Sequence, residues 1–280
     1  MENITRTVYG NDLQTMADLK LPFKLIPNTT LNEKLNIQSG VAPAANEMPS
    51  MQFAAIGIGG HKYKTGADSI GYSEPVQHVT TDAGLYKQLP FVLRLIDSDL
   101  SAGQRANYGL RRQETHDGDA YYAYYLKRLP NTGVETTMEY RVNNNGVETI
   151  STFIPNASNL SPTPPDLSSG VNVLEGKYVA VTAKVKFTMT EEEVAEFLNV
   201  AQILFGTESL AIISEIALVS GVNKIVSVSS GASQVNFNEV IAAQINTFFN
   251  TMQELKYSNT GIELVLNLGA TEPMLSLTTL

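Results

Sequence analysis

Residues 108–130 read YGLRRQETHDGDAYYAYYLKRLP and carry the clearest strand signal in this chain. Asp117-Gly118 favours a type I′ turn, because both central residues of that turn need positive φ. An antiparallel hairpin with its turn at Asp117-Gly118 is therefore predicted. The same His116-Asp117-Gly118-Asp119 run resembles a cation site or a general base. The turn is the better interpretation, because the sequence shows no further ligands.

Further turn signals follow this hairpin. Residues 130–133 (PNTG) precede the strand-like stretch 134–142, and Asn145-Gly146 separates that stretch from residues 147–154. Together with the first hairpin, these signals predict four antiparallel strands in a meander. Other strands are predicted at residues 51–58, 91–96, 177–189, 225–228 and 261–268.

Two helices are predicted in the C-terminal third. The first begins at Thr190, which forms a capping box with Glu193, and a helical apolar stripe follows over residues 194–204. The second is predicted over residues 236–255, where apolar residues recur at helical spacing.

The first 50 residues predict an extended arm. Prolines at positions 22, 27, 43 and 49 bias the residues before them to extended conformations. Leu21, Phe23 and Leu25 make the stretch too apolar for a flexible linker. The arm therefore packs either on the body of its own chain or on a neighbouring subunit, and the sequence leaves both open.

The predicted fold class is α+β, with a body rich in antiparallel β-meander, two principal helices in the C-terminal third and the N-terminal arm. The arm covers residues 1–50, the β-meander region residues 51–160, and an α/β region packed on it residues 171–280. One continuous domain over residues 51–280 is the alternative. The proline-rich run 161–170 (SPTPPDLSSG) is a loop or a boundary.

Composition excludes several classes of protein. Of the 280 residues 43% are hydrophobic and 17% charged, which is typical of a soluble folded protein, and no apolar run is long enough to span a membrane. With no cysteine, the chain has no disulfide, thiol nucleophile or thiolate metal site. The net charge is −9, and residues 189–280 contain ten Glu and two Lys. Such an acidic surface repels phosphate backbones, so general nucleic-acid binding is not expected there.

No catalytic, cofactor or metal site is predicted. Gly57-Ile-Gly-Gly-His61 lacks the lysine and hydroxyl of a phosphate-binding loop and is interpreted as a glycine turn. The three histidines, at positions 61, 78 and 116, have no familiar metal-binding spacing. We therefore expect no enzymatic activity and no cofactor.

The tyrosines of residues 121–125 are the most informative polar feature. Side chains alternate along a strand, so Tyr121 and Tyr125 face one side while Tyr122 and Tyr124 face the other. Two aromatic faces are explained by packing inside the domain, by subunit contact or by stacking on sugars. The candidate interface residues are Arg111, Arg112, Tyr121, Tyr122, Tyr124, Tyr125, Lys127 and Arg128.

Residues 57–129 contain GIGGHKY, PVQHVTTDAGLYKQLPFVLR and QRANYGLRRQETHDGDAYYAYYLKRL, a block that resembles virion structural proteins of tailed bacteriophages, particularly large contractile-tailed ones. The resemblance covers about a quarter of the chain. It implies a neck, collar or head–tail connector subunit that forms a homo-oligomeric ring. The implied partners are copies of the chain and portal, tail or collar proteins, with no membrane. The implied location is the virion, assembled in the host cytoplasm.

Two alternatives stay open at this point. One is a capsid decoration, baseplate or tail protein, and the other, from a different class, is a carbohydrate-binding or glycan-hydrolysing protein. In a ring, the acidic C-terminal third would let DNA pass through the channel without adhesion, and we expect no sequence-specific binding of nucleic acid.

Overall fold

The computed structural model describes residues 4–66, 71–161, 169–230, 233–257 and 261–279. It is an α+β structure in which antiparallel strands predominate, and the predicted fold class is confirmed. The helices are α1 (Val8–Asp18), α2 (Leu31–Lys34), α3 (Ala102–Arg105) and α4 (Glu191–Phe205), with short 3-10 helices at Ile96–Ser98 and Glu208–Leu210. The strands are β1 (Ile4–Arg6), β2 (Ser50–Gly57), β3 (His61–Thr65), β4 (Gly71–Pro75), β5 (Gln88–Leu89), β6 (Val92–Leu95), β7 (Tyr108–His116), β8 (Asp119–Arg128), β9 (Thr136–Asn144), β10 (Val147–Thr152), β11 (Ser169–Met189), β12 (Ile212–Ser230), β13 (Ser233–Glu254) and β14 (Ile262–Thr279).

The chain divides into two compact units. Unit 1 consists of residues 1–129 and 188–263, and unit 2 of residues 130–187 and 264–280. The predicted regions 51–160 and 171–280 are therefore each shared between the two units, because consecutive strands enter different sheets. The predicted boundary at residues 161–170 falls largely on residues 162–168, which lie outside the described ranges.

Unit 1 contains an eight-stranded sheet in the order β1-β13-β12-β2-β8-β6, with β5 beside β2 and β7 beside β8. Its central strands are apolar on both faces: Phe53 to Ile56 in β2 and Ile216 to Val219 in β12 are fully buried. Such runs are expected for strands that are covered on both sides. The strands β3 and β4 form a separate two-stranded ribbon.

Unit 2 contains a four-stranded sheet in the order β10-β9-β11-β14. The predicted hairpin turns are confirmed in both units: φ is positive at Asp117 and Gly118, and again at Asn145 and Gly146. The continuous four-stranded meander is wrong at its middle junction, because β9 pairs with β10 and β11 rather than with β8. The PNTG run therefore leads from one sheet to another.

Helix α4 confirms the first predicted helix. The Thr190 side chain accepts a hydrogen bond from the Glu193 amide, the Glu193 side chain returns to the Thr190 backbone, and Gly206 ends the helix at a φ of 72°. The apolar stripe faces the protein interior, with Val194, Phe197, Leu198 and Ala201 buried.

The second predicted helix is wrong, since residues 236–254 belong to strand β13. This strand pairs with β1 and β12 within the sheet, and residues on both of its faces are buried. Its pairing with β12 also shifts register at three places, which breaks strict alternation. Burial on both faces combined with bulges produced the apolar spacing that resembled a helix.

Residues 4–50 of the predicted N-terminal arm contact the body of their own chain, and packing on a neighbouring subunit stays a prediction. Strand β1 pairs with β13, and Asn32 donates a hydrogen bond to the Val240 carbonyl. The arm also contains helices α1 and α2, which the sequence did not predict. Thr7 begins α1 by accepting a hydrogen bond from the Gly10 amide.

Candidate assembly surface and buried carboxylate–imidazole cluster

All eight residues predicted for a subunit interface lie on the β7–β8 hairpin of unit 1. Strand β8 pairs with β7 along one edge and with β6 and β2 along the other. Leu126 has a φ of 57°, and this left-handed residue interrupts the alternation of β8. Residues 123–127 are all buried, so both faces of this part of β8 are covered.

Tyr124 lies in the interior and anchors a small charged cluster. Its hydroxyl donates to Asp99, which also accepts hydrogen bonds from Arg105 at 3.0 Å and Arg111 at 3.4 Å. Burial, followed by the Asp99 carboxylate, raises the pKa of Tyr124, so the hydroxyl remains a donor. Arg105, Arg111 and Tyr124 border a cavity of about 160 Å³. Glu239 lines the same cavity, and burial raises its pKa.

Tyr125 is buried with a second charged group. Its hydroxyl donates to Glu114 Oε1 at 2.5 Å, and Arg112 donates to the same oxygen at 2.6 Å. Arg112 also donates to the Leu35 carbonyl at 3.1 Å, so the predicted N-terminal arm contacts this side of the hairpin. Burial alone would raise the pKa of Glu114, but the hydrogen bonds from Tyr125, Arg112 and His116 outweigh it and lower that pKa.

The basic residues at the end of β8 have partners within the same chain. The Lys127 ammonium pairs with Glu193 of helix α4. The Arg128 guanidinium lies 4.8 Å from the centroid of the Phe53 ring and donates to Asn223 Oδ1 at 3.0 Å. Burial lowers the pKa of Arg128. Internal pairing thus accounts for both side chains.

Tyr121 and Tyr122, nearer the turn, are only half-buried. The Arg111 guanidinium stacks 4.3 Å from the Tyr122 ring centroid. The rings of Tyr124 and Tyr125 are 2% and 4% exposed, so neither is available to stack on a sugar. A role in subunit contact stays a prediction, and on this strand it rests on Tyr121 and Tyr122.

A buried cluster that the sequence did not predict joins His78, Asp82 and Glu215. His78 Nδ1 lies 2.9 Å from Asp82 Oδ2, and Nε2 lies 2.8 Å from Glu215 Oε2. The imidazole is stacked between Tyr86 and Phe248, with ring centroids 4.1 and 3.7 Å away. Neither the His78 nor the Glu215 side chain has any solvent exposure.

The surroundings of Glu215 show that it is an ionised carboxylate. Backbone amides of Gly59, Tyr86 and Lys87 donate to it at 2.9 to 3.1 Å, in addition to His78. Burial would raise the pKa of Glu215, but these four donors together lower it below its usual value. The two ring nitrogens of His78 each contact one carboxylate, so the imidazole bridges Asp82 and Glu215.

The cluster fixes three separate parts of unit 1 to one another. It connects the loop of residues 76–87, the turn at Gly59 and strand β12. Because the imidazole is enclosed, the cluster acts as a structural clamp rather than as a site open to substrate. The only sequence signal was Glu215 itself, the single charge in the apolar run of residues 210–219.

The other predicted turns have the expected local structures. Gly57 to His61 forms a turn whose Gly59 and Gly60 amides donate to Glu215 and Ser214. His116 pairs with Asp119 across the end of the β7–β8 hairpin. Within the described ranges, no cluster of three or more His, Asp or Glu side chains is placed to hold a metal ion. Among the described residues, no helix combines the length and apolarity needed to cross a membrane.

The sheet of unit 2 has one apolar and one mainly polar face. Directly opposite residues share a face, and the register pairs Met138 with Val181 and Tyr140 with Val179. The opposite face contains Glu139 and its ion-pair partner Arg141. We call this side of the sheet the apolar face, and its large apolar residues are Met138, Tyr140, Val142, Val147, Val179 and Val181. The polar residues on the same side are Thr136, Asn144, Thr149, Ser151 and Lys177.

Much of this apolar face lies in water. Val147 is 69% exposed, Met138 44% and Val181 39%. The side chains of Tyr140, Val142 and Val179 are half-buried. Large contiguous apolar surfaces on soluble proteins mark places where another molecule binds.

Comparison with known proteins gives a family but no function. The model described as "Family of unknown function (DUF7208)" matches residues 1–280. No curated protein and no solved structure matches this chain.

Proposed function

The chain belongs to the DUF7208 family of unknown function, and we propose that it is a non-enzymatic structural subunit that assembles with copies of itself. More specifically, we propose a neck, collar or head–tail connector subunit in the virion of a tailed bacteriophage, forming a homo-oligomeric ring. Portal, tail or collar proteins are its further partners in this proposal. The resemblance of residues 57–129 to phage virion proteins supports the particle assignment.

The observation that carries the assembly proposal is the apolar face of unit 2. An antiparallel sheet with one apolar face normally buries that face against another layer. Full burial of an exposed Val or Met side chain contributes about 1.5–3 kcal/mol. Three exposed members, Met138, Val147 and Val181, therefore provide a substantial driving force for contact with another subunit.

The charge of the C-terminal third bears on the channel proposal. Of its ten glutamates, Glu215 is buried with His78, while Glu193 and Glu196 pair with Lys127 and Arg94. Glu239 is half-buried beside the cavity described above, so the acidic surface proposed to line a channel for DNA would consist of the exposed glutamates. Glu191 and Glu192 at the start of helix α4 are exposed examples.

The test is the oligomeric state of the full chain and of two matched variants. Met138→Asp places a charge on the apolar face, whereas Ile150→Asp places the same charge at an exposed position on the opposite face, beside Arg141. We expect light scattering to give a discrete oligomer for the wild type and Ile150→Asp, and a folded monomer for Met138→Asp. Electron microscopy of the wild type should show rings.

Two results would contradict the proposal. One is a wild-type chain that stays monomeric at every concentration, and the other is a Met138→Asp variant that assembles as well as the wild type. Circular dichroism spectra of both variants would establish that each is folded.

A further inference from the structure

The N-terminal segment, which we define as residues 4–18, occupies a dock built from distant parts of the chain. Strand β1 pairs with β13, placing Arg6 opposite Thr247. The Thr7 amide donates to the Asn246 carbonyl at 2.9 Å, and its hydroxyl donates to the Ile245 carbonyl at 2.6 Å. Helix α1 approaches so closely that a Cβ on Gly10 would lie 2.9 Å from the Asn246 carbonyl oxygen.

The other wall of the dock is the loop held by the His78 clamp. The Thr5 hydroxyl donates to the His78 carbonyl at 3.1 Å, and the Val8 amide donates to the Thr80 carbonyl at 2.9 Å. The Tyr9 hydroxyl donates to the Thr81 carbonyl at 2.8 Å. Because Asp82 and Glu215 fix this loop from behind, the wall is formed by contacts that do not involve the segment.

The connection from the segment to the body is exposed and conformationally strained. After α1 ends at Asp18, the next helix begins at Leu31, and Leu19 and Leu21 are 64% and 47% exposed. Lys20 has a φ of 54°, a left-handed conformation that costs a residue with a Cβ free energy. The ten residues 19–28 that follow α1 span about 33–36 Å when the backbone is fully extended.

We propose that in the assembled ring the N-terminal segment of each copy occupies the dock of the next copy. The proposal rests on the self-assembly proposed above. All contacts of the dock are the same in either arrangement, so exchange retains them and closes a head-to-tail ring. Straightening the connection relieves the strain at Lys20, and strained hinges favour exchange of this kind.

The absence of cysteine makes the test direct. In the double variant Arg6→Cys/Thr247→Cys, the two residues face each other across an antiparallel pair, at a spacing compatible with a disulfide. The assembled protein is oxidised and then run in denaturing gels without reductant. A control pair, Lys62→Cys/Glu74→Cys, joins β3 to β4 within one chain.

Three outcomes separate the two proposals. Covalently linked dimers and higher multiples from the first pair, with monomers from the control pair, support the exchange. An oligomer whose first pair forms only disulfides within single chains overturns the exchange and leaves self-assembly standing. A chain that never assembles overturns both.

A hinge variant provides an independent check on the same gel. Lys20→Gly removes the strain without touching the dock, because glycine adopts positive φ freely. We expect the ratio of linked multiples to monomers to fall about five-fold or more. An unchanged ratio would contradict the role of the hinge in driving exchange.

Discussion

Unit 1 and unit 2 are both built on antiparallel sheets, but they treat polar and apolar groups in opposite ways. Unit 1 buries charged and hydroxyl groups such as Glu215 and Tyr125, and residues of its own chain provide their hydrogen bonds. Unit 2 has a sheet of only four strands and leaves Met138 and Val147 in water. The stability of unit 1 therefore depends on internal pairing, whereas under the proposed assembly unit 2 would gain stability through contact with another copy of the chain.

This contrast identifies which residues control folding and which control assembly. Removing one partner of a buried hydrogen bond destabilises the fold, because the other partner stays buried with neither protein nor water to bond. An exposed apolar residue contributes little to the isolated chain and more once a neighbour covers it. The four predictions below test the two behaviours separately.

The largest expected effect is that of Glu215→Gln in unit 1. The amide has one oxygen to accept hydrogen bonds and an NH₂ group that would face backbone N–H donors, so the clamp around His78 loses charge and partners. We expect a loss of about 3–5 kcal/mol in the free energy of unfolding, measured by urea denaturation. The control Glu148→Gln removes a half-exposed carboxylate of unit 2 and should change stability by less than about 0.5 kcal/mol. Equal losses in the two variants would remove the contrast.

Tyr125→Phe tests the second buried polar group of unit 1. It removes the hydroxyl that donates to the ionised Glu114, and hydrogen bonds to charged groups contribute about 1.5–3 kcal/mol. We expect a loss within that range in urea denaturation. In unit 2 the ring of Tyr178 is 37% exposed, so Tyr178→Phe should be almost neutral. A neutral Tyr125→Phe would show that this hydrogen bond does not stabilise the hairpin.

The parts of this fold that the sequence predicted are those with local signals. Asp117-Gly118 and Asn145-Gly146 dictate their own backbone conformations, and the Thr190 capping box lies within four consecutive residues. The pairing of β9 with β11 was not predictable in this way, because a turn signal does not specify the partner of the strand that follows it.

In the candidate sites, too, only the features with a local sequence signal were predicted. The His78–Glu215 pair joins residues 137 positions apart, and only the isolated charge of Glu215 in an apolar run pointed to it. The tyrosines of β8 were correctly placed on a hairpin strand. The left-handed conformation of Leu126 and the ion pair of Lys127 with helix α4 were not predictable from the tyrosines themselves, because both arise from tertiary packing.

Acid provides a third test of unit 1. The folded-state pKa values of Glu215 and Glu114 lie below the ordinary value of 4.5. Their contribution to stability is therefore fully present above that pH and is lost as the pH falls through the folded-state values. Each lowering of a pKa by one unit corresponds to about 1.4 kcal/mol. We expect the urea midpoint of the wild type to fall as the pH is lowered from 7 to 3. The midpoint of Glu215→Gln should fall less steeply over the same range. A midpoint that stays level below pH 4.5 would contradict this account.

The smallest expected effect distinguishes the two faces of the sheet in unit 2. Val181 and Ala180 are neighbours in β11 on opposite faces, with exposed fractions of 39% and 0%. Val181→Thr keeps the β-branched shape and should change the stability of the monomeric Met138→Asp background by less than about 0.5 kcal/mol. Ala180→Val adds volume to a filled interior and should cost about 1–3 kcal/mol in the same background.

The oligomer should respond differently, because in the proposed assembly Val181 lies against a neighbouring subunit. There we expect Val181→Thr to raise the dissociation constant measured by light scattering. If Val181→Thr were as costly in the monomer as Ala180→Val, the apolar face would already be covered within the chain, and unit 2 would need no partner.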